Sequence, residues 1–167
     1  MKSIFLQLSE PDLKGESMDK DHGQWIELEG MSHQIHRPTS SSVSTSGGHA
    51  VGPCAHGDMV LTKAIDQSSP LLYQAASSGT TFKAARIDVY RDAGDGARVK
   101  YLEIQLKNVM LAHVGFTLDG SPTPRDSIAL RYAAIQWTYI KQGIDGSQGG
   151  TTQGAWSLSK HGRTFAV

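Results

Sequence analysis

The chain predicts a mainly β fold, a barrel or sandwich of about seven or eight strands, on three observations. Apolar residues recur at every second position through most of its length, the spacing of a half-buried strand. Asp95-Gly96, Asp119-Gly120 and Asp145-Gly146 mark tight turns between such runs. A single stretch carries helical spacing instead.

Taken in order, the first strand is expected at "IFLQL" and the next within "WIELEGMSHQIH". Between them Lys14, Glu16, Asp19, Lys20 and Asp21 form a charged run that reads as a solvated loop. Residues 38–53, "PTSSSVSTSGGHAVGP", are nearly all Ser, Thr, Gly and Pro. A structureless stretch of this length in a compact domain is usually functional or mobile, and this one could order itself on a partner surface. "DMVLTKAI" resumes the strand pattern. In "DQSSPLLYQAASSG", Ser69 is placed to cap a helix and Pro70 sits at its first position. Leu71, Leu72, Ala75 and Ala76 then share an apolar face and Gly79 ends it, giving a short helix over about 69–78 that plugs or flanks the sheet.

Beyond the helix, "ARIDVYR" turns Ile87 and Val89 inward, and "YLEIQL" places Leu102, Ile104 and Leu106 on one face. The parity flips around Lys107–Asn108, entering "VMLAHV". It flips again near Ala133–Ala134, between "SIALRY" (Ile128, Leu130, Tyr132) and "AIQWTYI" (Ile135, Trp137, Tyr139). Two long segments that change parity fit a bent, closing sheet better than a flat one. Residues 143–154, "GIDGSQGGTTQG", read as a second loop, and "AWSLSK" as the last strand.

Residues 1–167 show no composition shift, so one domain is expected. Sixteen basic and sixteen acidic residues cancel and no basic stripe stands out. Nucleic-acid binding, which rests on phosphate neutralisation, and attraction to an acidic membrane are therefore not expected. One cysteine makes no internal disulfide, so the fold does not rely on an oxidising compartment. The apolar run Ile4–Leu6 ends at Gln7, too soon for a secretory signal. No stretch approaches the ~20 apolar residues that cross a bilayer.

The richest chemical run is "HAVGPCAHGD", with His49, Cys54, His56 and Asp58. As a strand it would spread Cys54 and Asp58 roughly 13 Å apart, too far to close on one tetrahedral zinc. A nucleophilic Cys54 would need a base and an orienting group on a rigid platform, which the loop does not supply. His33 and His36, three apart in strand-like sequence, point to opposite faces and read as surface or interface imidazoles. His22, His113 and His161 are isolated. No pair of carboxylates stands out for acid–base work. The glycines of 143–154 match neither phosphate-binding fingerprint. Trp25, Trp137 and Trp156 lie in apolar alternations and read as core. No catalytic residue, metal site or cofactor is expected, and the chain reads as a protein that works through its surfaces rather than an enzyme.

Several long motifs carry a resemblance: "KGESMDKDHGQWIEL", "TKAIDQSSPLLYQAASSG", "VKYLEIQLKNVML", "IQWTY" and "GAWSLSK". In this order the chain resembles, over nearly its whole length, the Hcp (haemolysin-coregulated protein) family of type VI secretion inner-tube proteins. The resemblance implies a small two-sheet β-barrel with one helix and an extended loop, here about 38–54, assembling into hexameric rings stacked as a tube within a contractile sheath. It implies a VgrG spike protein on the tube and effectors carried in its lumen, with no nucleic acid, no membrane insertion and no cofactor. Export would be through the machine without a signal peptide, from the bacterial cytoplasm, and the ending "GRTFAV" implies no fused toxin domain. The lumen wall of the family includes the strand holding "GMSH", which makes Ser32 the lumen-facing candidate. The loop implies subunit contacts from Thr39, Ser44, Gly48, His49, Cys54 and His56. Two alternatives stand beside this reading: a tail-tube subunit of a related phage-like contractile particle, and a hydrolase using His56 and Asp58.

Overall fold

The computed structural model describes residues 3–39, 52–92, 97–143 and 147–167. It is mainly β, as expected. Strands β1 (Ile4–Ser9), β2 (Ile26–Leu28), β3 (Gly30–Ser32), β4 (Ile35–His36), β5 (Ala55–His56) and β6 (Met59–Ala64) precede helix α1 (Ser69–Ser78). Strands β7 (Thr81–Asp92), β8 (Arg98–Thr117), β9 (Arg125–Arg131), β10 (Ala134–Gln142) and β11 (Gln148–Ser157) follow it.

β8 organises the fold. Its 20 residues are shared by two antiparallel sheets. Before Asn108 it lies between β7 and β10; after it, Met110–Thr117 pairs with β9. One sheet therefore runs β2-β1-β7-β8-β10-β11, and the other continues β8-β9-β6-β3. Asn108 has φ 49°, a left-handed kink. In the register Lys107↔Ala134 it faces Ala133, in the break between β9 and β10. The two parity changes legible in the sequence are thus one feature, a bend in two adjacent strands. The hydrogen-bonded path ends at β2 on one side and β3 on the other, so the ladder itself does not close. Those strands are separated by Glu29 alone, whose N–H donates to Thr62 O at 2.8 Å, so the gap is spanned by a chain turning a corner.

The inward faces meet in one core that includes Leu6, Ile26, Leu61, Ile87, Leu106, Val109, Ile128 and Ile135. Leu102 and Trp137 pack at its margin, while Tyr139 is exposed. Helix α1 packs against β8 and adds Leu72 and Ala75 to the core.

Four local expectations change. The helix cap is Ser68, not Ser69, and Ser68 makes no side-chain cap bond. Asp66 Oδ1 caps instead, accepting the Ser68 N–H at 2.9 Å, while the Ser69 hydroxyl is drawn into a buried cluster. Leu71 faces solvent because α1 rests on Leu72 and Ala75, with Ala76 partly buried beside them as expected. Gly79 ends the helix as expected, with φ 67° in the left-handed region that favours glycine. Residues 148–154 are strand rather than loop: pairing with β10 from Gln142↔Gln148 to Ala134↔Ser157 overrides their low β-propensity.

The charged run after β1 is not a freely solvated loop. Gly15 N–H donates to Gln24 O and Ser17 N–H to Trp25 O, tying residues 15–17 to the two residues that lead into β2. A Cβ on Gly15 would stand 2.3 Å from Trp25 O, so this approach requires glycine.

Candidate functional site

β4 and β5 form a separate two-stranded ladder, Ile35↔His56 and His36↔Ala55, at the two described ends of the long Ser/Gly-rich segment. Three side chains tie it to the barrel. Tyr132, buried in the break between β9 and β10, places its hydroxyl 2.8 Å from His33 Nε2 and 2.8 Å from His56 Nδ1. A phenol can donate to one imidazole and accept from the other, an arrangement that suits at least one neutral ring. Burial pushes the His33 imidazole below its ordinary value, partly opposed by the Gly57 backbone. Burial, and then the charge of His33, push His56 down as well. Burial, then Asp58 and Cys54, push the Tyr132 phenol up.

The sign of the pH effect follows. The unfolded chain holds protons on these imidazoles that the folded one rejects. The stability tied to them is therefore present above about pH 6.5 and lost as pH falls through that value toward the folded pKa. The thermal midpoint of the wild type is expected to drop between pH 7 and pH 5. A His33→Gln/His56→Gln variant should drop less, and an equal drop in both would remove the clasp as its cause.

The candidate residues from the sequence separate. Ser32 is exposed at the end of β3, opposite Val60. Thr39 is exposed, and Cys54 is half-buried just before β5. Ser44, Gly48 and His49 lie outside the described residues. Asp58 is held by Arg131 at 2.9 and 3.2 Å instead of orienting His56. Of the other pair, His36 is exposed on β4, whereas His33 stands between strands and joins the clasp.

Two buried charge clusters were not foreseen. In the first, Lys63 Nζ lies 2.7 Å from Asp66 Oδ1, 3.1 Å from Asp126 Oδ2 and 3.0 Å from Ser69 Oγ. Ser69 and Tyr73 hydroxyls both donate to Asp126. Burial, and then the Asp126 carboxylate, push the Tyr73 phenol up to about 12. In the second, the buried His22 ring sits between Asp19 at 2.9 Å and Asp88 at 3.1 Å, stacked on Phe5. Arg86, Lys100 and Glu103 complete it around Asp88, and Arg98 bonds Asp19.

The tryptophans read as core are half-buried. Trp25 stands edge-on to His22. Trp137 and Trp156 line a cleft of about 530 Å³ between β4–β5 and β10–β11, together with Arg37, Arg163, Cys54 and Gln153. β11, whose only strand partner among the described residues is β10, presents an exposed edge beside it. Among the described residues, no three His, Cys, Asp or Glu side chains converge as metal ligands. The arrangement offers surfaces, open edges and buried braces.

Residues 5–139 match the family described as "Type VI secretion system effector, Hcp". The chain is 33% identical over 160 residues to Protein hcp1 of Pseudomonas aeruginosa, covering 95% of this chain and 96% of that protein. Among solved structures, it is similar to one described as that of a type six secretion system protein, with TM-score 0.88, 24% identity, and 98% of this chain and 100% of that one covered. It is also similar to an Hcp1 protein of E. coli EAEC 042, with TM-score 0.74, 27% identity, and 95% and 99% covered.

Proposed function

The chain belongs to the Hcp family of type VI secretion proteins, and from that membership we propose that it is an inner-tube subunit whose copies close into hexameric rings. The observation that carries the reading is the form of the sheet β2-β1-β7-β8-β10-β11. Its two ends differ: at one, residues 15–17 are bonded to Gln24 and Trp25 just ahead of β2, and the other is the exposed edge of β11. A subunit with two unlike edges joins its neighbours head to tail, and such contacts form a ring when the rotation closes. Ring closure would also cover a strand edge that otherwise invites uncontrolled pairing.

In this reading the rings stack into a tube, which the contractile sheath propels and the VgrG spike caps. Ser32 faces the lumen, where effectors ride. The extended loop, about 38–54, reaches a neighbouring subunit or ring. The protein leaves the cell through the type VI machine. Electron microscopy of the purified protein is expected to show six-fold rings. A monomer at every concentration would overturn the reading. Appearance in the medium should require an intact sheath; release without it would favour a tail-tube role in a phage-like particle.

A further inference from the structure

The chain has seven arginines. Five are engaged by protein groups: Arg86 with Asp88 and Glu103, Arg91 with Gln142, Arg98 with Asp19, Arg125 with Glu29 and Arg131 with Asp58. Arg37 and Arg163 have no carboxylate partner among the described residues, and both line the Trp137–Trp156 cleft. Among the described residues, no carboxylate lines it with them. Two indoles and two uncompensated guanidiniums call for an apolar group flanked by acids.

The opposite edge of the same sheet carries such a group. Met18 is 96% exposed, on the loop that continues residues 15–17. The loop is pinned on both sides of it. Ser17 Oγ donates to Glu27 at 3.0 Å, and Asp19 accepts from the backbone N–H groups of Asp21 and His22 and from the His22 ring. Ordering a methionine outside the fold on a rigid loop removes part of the entropy cost of docking it. Over residues 10–21 five carboxylates stand against Lys14 and Lys20. Glu10 pairs with Lys83 and Asp19 with Arg98, which leaves the exposed Asp12, Glu16 and Asp21; of these Glu16, which accepts the Gln67 N–H at 3.4 Å, and Asp21 stand on either side of Met18. Thioether sulfur packs well against aromatic rings.

We infer that the Met18 loop of one copy seats in the Trp137–Trp156 cleft of the next, with Glu16 and Asp21 meeting Arg37 and Arg163. This contact rests on the ring reading and gives it a residue-level joint, since loop and cleft occupy opposite edges of one six-stranded sheet.

The cleft holds the chain's single cysteine, Cys54, which makes the contact testable by cross-linking. Met18→Cys, oxidised with oxidised glutathione, is expected to form a disulfide between position 18 of one copy and Cys54 of another. Non-reducing gels should show a ladder toward the hexamer, and peptide mass spectrometry should identify the link. Cys54→Ser in the same background should abolish the ladder. Independently, Arg37→Glu/Arg163→Glu is expected to raise the protein concentration for half-assembly at least tenfold. Rings by microscopy with no 18–54 link, or assembly unchanged by the charge reversal, would overturn this contact and leave the ring standing. Absence of rings in the wild-type protein would overturn both.

Discussion

Asp126→Ala is expected to destabilise the fold by about 3–5 kcal/mol, the cost of breaking a buried ion pair from one side. Both side chains of the Lys63–Asp126 pair are fully buried. Removing the carboxylate leaves the Lys63 ammonium with Asp66 as its one charged partner, and strips the Ser69 and Tyr73 hydroxyls of their acceptor. The cluster joins β6, β9 and α1, so the loss is expected to appear as a lower denaturant midpoint for the whole transition. Protein concentration must be held fixed, because the proposed assembly would add its own stabilisation. Lys63→Met alone should also be costly, leaving Asp126 uncompensated. The double variant Lys63→Met/Asp126→Leu should cost clearly less than the sum of the singles, since it removes both charges together. Additive losses would show that the pair is not coupled.

That cluster illustrates what sequence can and cannot show. Alternation located the strands because side-chain period is a local property, and it located the bend because parity is local too. The partners of Lys63 are local only in part: Asp66 and Ser69 follow within the motif "TKAIDQSSP", but Asp126 lies 63 residues away. Period-two spacing marks Lys63 simply as inward-facing, on the same face as Met59 and Leu61. A lysine on the inward face of a strand was the available signal that a buried carboxylate waits elsewhere. The strand β11 was hidden for a different reason. Gly149, Gly150, Thr151 and Thr152 carry little pattern, and their conformation is imposed by β10 across the ladder.

The motifs that carried the family resemblance prove to be the braces of the fold. "KGES" holds Gly15, which has no room for a Cβ, and Ser17, which bonds Glu27. "DKDH" holds Asp19 and His22 of the second cluster. The resemblance was strong because these residues answer to the whole fold at once. The proposed contact surface, by contrast, rests on groups that have no carboxylate partner among the described residues, and such groups have no sequence signature. Arg37 and Arg163 look like any other arginines until the remaining five are seen to be engaged.

Asp88→Ala is expected to cost about 3–5 kcal/mol as well, through the second cluster. Asp88 is buried on β7 and faces the His22 ring, Arg86 and Lys100. Without it, Arg86, Lys100 and Arg98 are left with Asp19 and Glu103 to balance them. The acid limb of the stability profile provides a second reading of the same cluster. Burial pushes the Asp88, Asp19 and Glu103 carboxyls up, but their bonds outweigh it: His22 and Arg86 at Asp88, His22 and Arg98 at Asp19, Lys100 and Gln105 at Glu103. All three sit below their ordinary values, Asp19 at about 2. The folded state thus binds fewer protons than the unfolded chain. The stability these groups supply is complete above about pH 4–5 and is lost as pH falls through the folded values. Wild-type protein should therefore lose stability steeply from about pH 4 toward pH 2, and Asp88→Ala should lose it over a shallower slope from a lower start. The imidazole clasp begins to act at higher pH, as pH falls below about 6.5, so its onset precedes that of the carboxylates along one titration. A variant whose slope below pH 4 matches the wild type would show that Asp88 does not report on this cluster.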